Sequence, residues 1–216
     1  MRKYYINPHF IYHAYRVTHH RYNIMILLVL LAVCPFAYCD APIKGVISGS
    51  PTSKDAWKLF LKPQKFYLLY RSEKNDTKLG GESKCFQMKY YEADPVKKEF
   101  LTHLVFRNDT TGHMVSYSVT IVLEKSNKTF NYYDRLVVQN SIATRYAIYE
   151  LIFTDYQTCF TLRRMSDDLH QVWMIDRLNP TVINPQCESA YQGPVNEYGC
   201  AVPRPKYEVF DPKICH

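Results

Sequence analysis

The chain has 216 residues, 47% of them hydrophobic and 15% aromatic, with 27 Lys/Arg against 20 Asp/Glu for a formal net charge of +7. That basic excess does not point to nucleic acid. Four of the cations, Arg2, Lys3, Arg16 and Arg21, lie in a leader, and the others are scattered without forming a run.

Residues 24–34 (IMILLVLLAVC) are a short apolar stretch preceded by those four cations, which predicts a signal peptide over 1–39. The stretch is roughly half the length a bilayer-spanning helix needs. Pro35 and the small-residue spacing of Ala37-Tyr38-Cys39 offer a cleavage site before Asp40, so no membrane anchor is expected. Met25 offers an alternative start without the basic flank, and the mature chain is the same either way. Without the leader the cations fall from 27 to 23 against 20 acids, a net of +3. The remaining residues, 40–216, are enough for a single secreted domain with its own core.

Of seven cysteines, Cys34 and Cys39 fall in the leader and Cys85, Cys159, Cys187, Cys200 and Cys215 remain. In an oxidising compartment disulfides are the default, and five is odd: either one thiol is free, or cleavage before Cys39 supplies a sixth partner. The sequons at Asn75, Asn108 and Asn127 predict glycosylation in surface turns of an extracellular protein.

Along the mature chain, residues 45–53 are a flexible Gly/Ser/Pro stretch, and Ser53–Leu61 has the polar cap and apolar stripe of one short helix. Strands follow at about 65–73, 83–92, 99–107, 113–125, 129–139, 146–154, 158–165 and 169–177, divided by turn-rich pieces such as NDTKLGGES and RNDTTGH. Eight successive strands predict an all-β fold, an eight-stranded antiparallel up-and-down barrel, with an open β-sandwich as the alternative that spacing leaves standing. From Asn179 the chain is Pro-rich, aperiodic and holds three cysteines, which reads as an irregular arm against the barrel wall.

Side-chain alternation then assigns faces. Val115, Tyr117, Val119, Ile121 and Leu123 share the apolar face of the fourth strand, which should look inward. An outward Cys85 turns Phe86, Met88 and Tyr90 inward, and an outward Cys159 does the same for Phe160 and Leu162. An interior of this size holds either packed side chains or one small ligand.

The Ala56-Trp57 helix, KFYLLYRSE, LGGESKC, YAIYELIFTDYQTC with its following LRR, and HQVWMIDRL resemble, in that order, the tick salivary lipocalins of the histamine-binding-protein family. The resemblance spans almost the whole mature chain. It implies an eight-stranded lipocalin barrel with a helix packed outside, secreted in saliva to sequester a small host mediator of inflammation. It also implies the disulfides Cys85–Cys215 and Cys159–Cys187, which leaves Cys200 unpaired.

Amine-binding members of that family carry Cys-Asp-aliphatic, a spacer, Glu-Leu-Trp/Tyr, a second spacer and Cys. The frame is present here as Cys159-Phe160-Thr161, nine residues, Gln171-Val172-Trp173, thirteen residues and Cys187, but Phe160 and Gln171 replace both acids. An alkylammonium entering a barrel loses its hydration, and without a carboxylate nothing returns that free energy. The candidate ligand-binding set is Phe86, Met88, Tyr90, Tyr117, Glu150, Phe160, Gln171 and Trp173, and its apolar members form a lining suited to an acyl chain or flat aromatic. This favours a lipid mediator such as a leukotriene over histamine. Arg71, Arg107 and Arg164 are candidates to hold a carboxylate, although strand-end arginines read first as solvated rim charges. Glu150 and Asp134 are the acids that would rescue amine binding if turned inward.

Competing functions find less support. The mature chain has His103, His113, His170 and His216 but no His-Glu-x-x-His, paired CxxC or Gly-rich phosphate loop, so no enzyme, cofactor or metal is expected. His103 and His113 could meet across a hairpin as a surface pair. A host-protein inhibitor, for example of complement, would use loops on the same scaffold and is the alternative function.

Overall fold

Along the first strand Phe66 and Leu68 belong to one buried cluster and Tyr67 and Leu69 to another, so this short segment is covered on both sides. The computed structural model describes residues 54–108, 110–176, 183–193 and 203–215. The signal peptide expected over 1–39, the glycine-rich stretch at 45–53 and Cys200 lie outside them.

The elements are α1 (Ala56–Phe60), β1 (Lys65–Arg71), β2 (Lys84–Asp94), β3 (Glu99–Arg107), β4 (Met114–Glu124), β5 (Arg135–Gln139), β6 (Arg145–Thr154), β7 (Cys159–Arg164), β8 (His170–Ile175), α2 (Pro185–Gln192) and β9 (Tyr207–Glu208). Each of β1 to β8 runs antiparallel to its sequence neighbour, and β8 returns to pair with β1. That closure makes an up-and-down barrel and excludes the sandwich. Only Lys65–Tyr67 of β1 pair with β2, so the strands part above that point and β9 adds to β1 at Tyr70 and Arg71. The arm is stitched to both sides of the seam: Cys85 N donates to Val209 O at 3.0 Å and Val209 N to Leu69 O at 2.8 Å. Disulfides Cys85–Cys215 and Cys159–Cys187 fix the arm and α2 to the wall.

One end is closed by α1. Asp55 caps it by accepting from Trp57 N at 3.1 Å, and Leu59 and Phe60 turn into the barrel, where Phe60 packs on Phe66 and Phe100. Two expectations need correction. The fifth strand begins at Arg135 rather than 129, because Ser126 N donates to Asp134 Oδ1 at 2.7 Å and Lys125 Nζ to Phe130 O at 2.6 Å, tying the preceding residues into a loop. The tail is not wholly irregular: Asn184 caps α2, Pro185 opens it, and Gly193 at φ 78° ends it with N–H donation to Ser189 O. Asn-Pro before a helix and Gly after it are ordinary boundary signals, masked here by the cysteines and prolines nearby.

The candidate ligand cavity and its polar mouth

The interior alternates as the sequence predicts for most strands. Phe86 and Met88 of β2, Val119, Ile121 and Leu123 of β4, and Phe160 and Leu162 of β7 belong to the inner core. Val115 shares their parity, but it is 38% exposed at the start of β4. Trp173 is buried, stacked on Phe160 with ring centroids 5.9 Å apart and edge-on to Phe86. Among them remains a cavity of about 20 Å³, room for a single water. Met88, Gln171 and Trp173 line it, with Leu79, Tyr149 and Leu162. Phe86 and Phe160 pack beside Trp173, Tyr90 packs on Phe100, which α1 also touches, and Tyr117 packs on Phe106. The expected lining is therefore largely a filled core.

Glu150 is a correction. Tyr149 and Leu151 belong to the inner cluster, so alternation turns Glu150 outward, where it pairs with Arg163. Asp134 is buried but spent on the β4–β5 loop. His103 and His113 do not meet: His103 faces Ser118 in the register, and its ring lies 4.1 Å from that of Tyr91. Arg107 remains half-buried at the end of β3. The turn residues Asn75 and Asn127 are exposed, and Asn108 is half-buried.

Arg71 and Arg164 overturn their reading as solvated rim charges, for each is 1% exposed. Arg71 ends β1 opposite Gln171 in the register, and Arg164 ends β7 opposite Tyr149. Between them lies Asp76, fully buried, carried in by the β1–β2 loop, whose Asp76 and Gly81 form an antiparallel bridge. Asp76 Oδ1 takes an ion pair from Arg164 and backbone N–H bonds from Lys78 at 3.0 Å and Leu79 at 2.9 Å. Its Oδ2 accepts from Gln171 Nε2 at 2.9 Å, and Gln171 Oε1 accepts from Trp173 Nε1 at 3.0 Å. Arg164 also grips Asp167 through Nε and Nη2, each at 2.7 Å. Burial alone would lower the Arg164 pKa, but Asp167 and Asp76 raise it overall, so it remains a cation.

Arg71 donates from Nη2 to Lys74 O at 2.7 Å and Gly81 O at 2.5 Å, clasping both ends of the loop. Its Nε and Nη1 are buried with no hydrogen-bond partner among the described residues. Burial lowers its pKa, and Asp76 opposes that. The mouth thus encloses two guanidiniums against one fully buried carboxylate. No three His, Cys, Asp or Glu side chains among the described residues are grouped to hold a metal. Sequence reasoning missed Asp76, Leu79 and Tyr149. Gly80-Gly81, a pair able to turn a loop back into the barrel, was the signal available for the first two.

A family model described as tick histamine binding protein matches residues 50–216. No curated protein matches the chain. A solved structure of AM182 in complex with serotonin superposes with a TM-score of 0.53 at 15% identity, covering 78% of this chain and 95% of that one. A biogenic amine-binding protein gives a TM-score of 0.41 at 10% identity, covering 71% and 85%. The siderocalin Ex-FABP gives 0.40 at 15% identity, covering 62% and 83%. At these identities the AM182 likeness speaks for the fold alone.

Proposed function

The chain belongs to the tick histamine-binding protein family, and from that premise we propose that it is a secreted, non-enzymatic protein that sequesters a small host mediator bearing a carboxylate rather than an ammonium. AM182 was solved with serotonin, and an amine here would need an interior acid with capacity to spare. Asp76 has none, since Arg164, Gln171 and two backbone N–H groups already use it. Phe160 and Gln171 stand where the family's amine motif has acids, and a neutral amide interacts with a cation far more weakly than a carboxylate does.

The observation that carries the proposal is Arg71, a 1% exposed guanidinium with Nε and Nη1 unpartnered among the described residues. A buried guanidinium with two of its three nitrogens unpaired is costly, and a ligand carboxylate would supply two charge-assisted bonds at once. Met88, Leu79 and Trp173, which line the cavity with Gln171, the register partner of Arg71, offer an apolar path for an acyl chain, with Phe86, Tyr117 and Phe160 as the surround. A cavity of about 20 Å³ is too small for such a chain, so entry requires lining side chains, Leu79 of the β1–β2 loop among them, to withdraw. Glycans on Asn75, Asn108 and Asn127 would suit the same extracellular role. Native mass spectrometry of the protein secreted from insect cells tests the proposal. A retained fatty acid supports it, a retained amine contradicts it, and an empty barrel favours action on a host protein.

A further inference from the structure

The β1–β2 loop is built as a plug with two parts. Leu79, 5% exposed, is its apolar stopper and lines the cavity, while Asp76 occupies the charged position above it. The backbone that allows this is special: Gly80 has φ 77°, and a Cβ there would lie 2.7 Å from the Phe86 ring. The plug is held by groups that suit any carboxylate. Arg164 Nη1 and Gln171 Nε2 point at Asp76, and Arg71 presents two further unpartnered nitrogens, Nε and Nη1, from the end of the neighbouring strand. Apart from the two N–H groups of its own loop, everything the Asp76 carboxylate bonds to belongs to the wall and stays in place if the loop leaves.

We propose that Asp76 is an internal stand-in for the ligand's carboxylate: it fills the Arg164–Gln171 position while the barrel is closed, and an anionic ligand displaces it, lifting Leu79 out as the loop opens. This rests on the anionic-ligand reading above and adds the gate and the specificity element. An amine has no means of replacing Asp76, because it would meet Arg164 and Arg71 once that carboxylate left. An uncharged ligand gains nothing by the exchange.

The test uses cis-parinaric acid, which fluoresces when bound, and its methyl ester, with the wild-type protein and Asp76→Asn. The variant leaves two buried guanidiniums facing one another, so it should melt lower than wild type, and the acid should raise its melting point more than that of wild type. Its affinity for the acid should rise at least tenfold, with faster association, while ester binding changes less than twofold. In the wild-type protein, adding the acid should accelerate hydrogen exchange at the Lys78 and Leu79 amides, because their local bonds to Asp76 Oδ1 fray in solvent once Arg164 and Gln171 no longer anchor that carboxylate. If the acid binds wild type in preference to the ester but D76N binds it no better, and the two amides stay protected, the role of Asp76 is overturned and the anionic reading survives. If acid and ester bind alike, or neither binds either protein, the anionic reading fails and the role of Asp76 falls with it. Should D76N not fold, the exchange result on the wild-type protein decides.

Discussion

Gln171 is a neutral side chain in a position that needs both a donor and an acceptor. Its Nε2 donates to Asp76 Oδ2 and its Oε1 accepts from Trp173 Nε1, which a carboxylate cannot do unless protonated. Gln171→Glu should therefore cost roughly 1–3 kcal/mol at pH 7, read from urea unfolding, with the deficit relative to wild type shrinking as the introduced carboxyl takes up a proton. A deficit independent of pH would argue against that contact. His170 gives a second pH signature. It is 4% exposed, burial lowers its pKa, Arg204 and Arg163 push the same way, and its contacts with Asp168 oppose them. The unfolded chain then takes up the proton first, so stability is full above about pH 6.5 and declines as pH falls below it. His170→Gln should flatten the profile between pH 6.5 and 5, and an unchanged slope would assign the decline elsewhere. At this scale the sequence was half legible. Phe160 and Gln171 show missing charge only against the amine motif that the family resemblance implies, whose Cys159, Trp173 and Cys187 frame fixes their positions. Arg71 and Arg164 look like surface charges until a loop distant from Arg164 in sequence brings Asp76 in beside them.

Strands were legible from alternation because each inward run meets a core, and their ends drifted where loops use side-chain bonds, as around Asp134. The arm was harder to read, since β9 has two residues and is held by the gap between β1 and β2 rather than by any pattern of its own. Disulfides make up for that short pairing. Cys159 and Cys187 are 28 residues apart and Cys85 and Cys215 are 130 apart, so chain-entropy estimates are about 3.5 and about 5 kcal/mol. Removing the longer bridge by C85S/C215S should lower the unfolding free energy more than C159S/C187S does, and the reverse order would mean that α2 contributes more than loop closure suggests. The β1–β2 loop shows what element-level reading leaves out: NDTKLGGES reads as an exposed turn, yet Asp76 and Leu79 within it are buried.

The described residues form a closed barrel whose end nearest α1 is aromatic and whose other end is cationic inside. Eight alternating strands made a β fold with one buried face per strand readable, while the choice of barrel over sandwich came from the family resemblance and is settled by the pairing of β8 with β1. How little space the core leaves was not, since volume depends on how Trp173, Phe160 and Phe86 stack rather than on which way they point. On the function proposed above, this interior selects a carboxylate over an ammonium. Isothermal titration of the one protein with leukotriene, histamine and serotonin at pH 7.4 tests it most directly. Submicromolar binding of the leukotriene, with both amines at least tenfold weaker, is the predicted result, and submicromolar binding of histamine would contradict it.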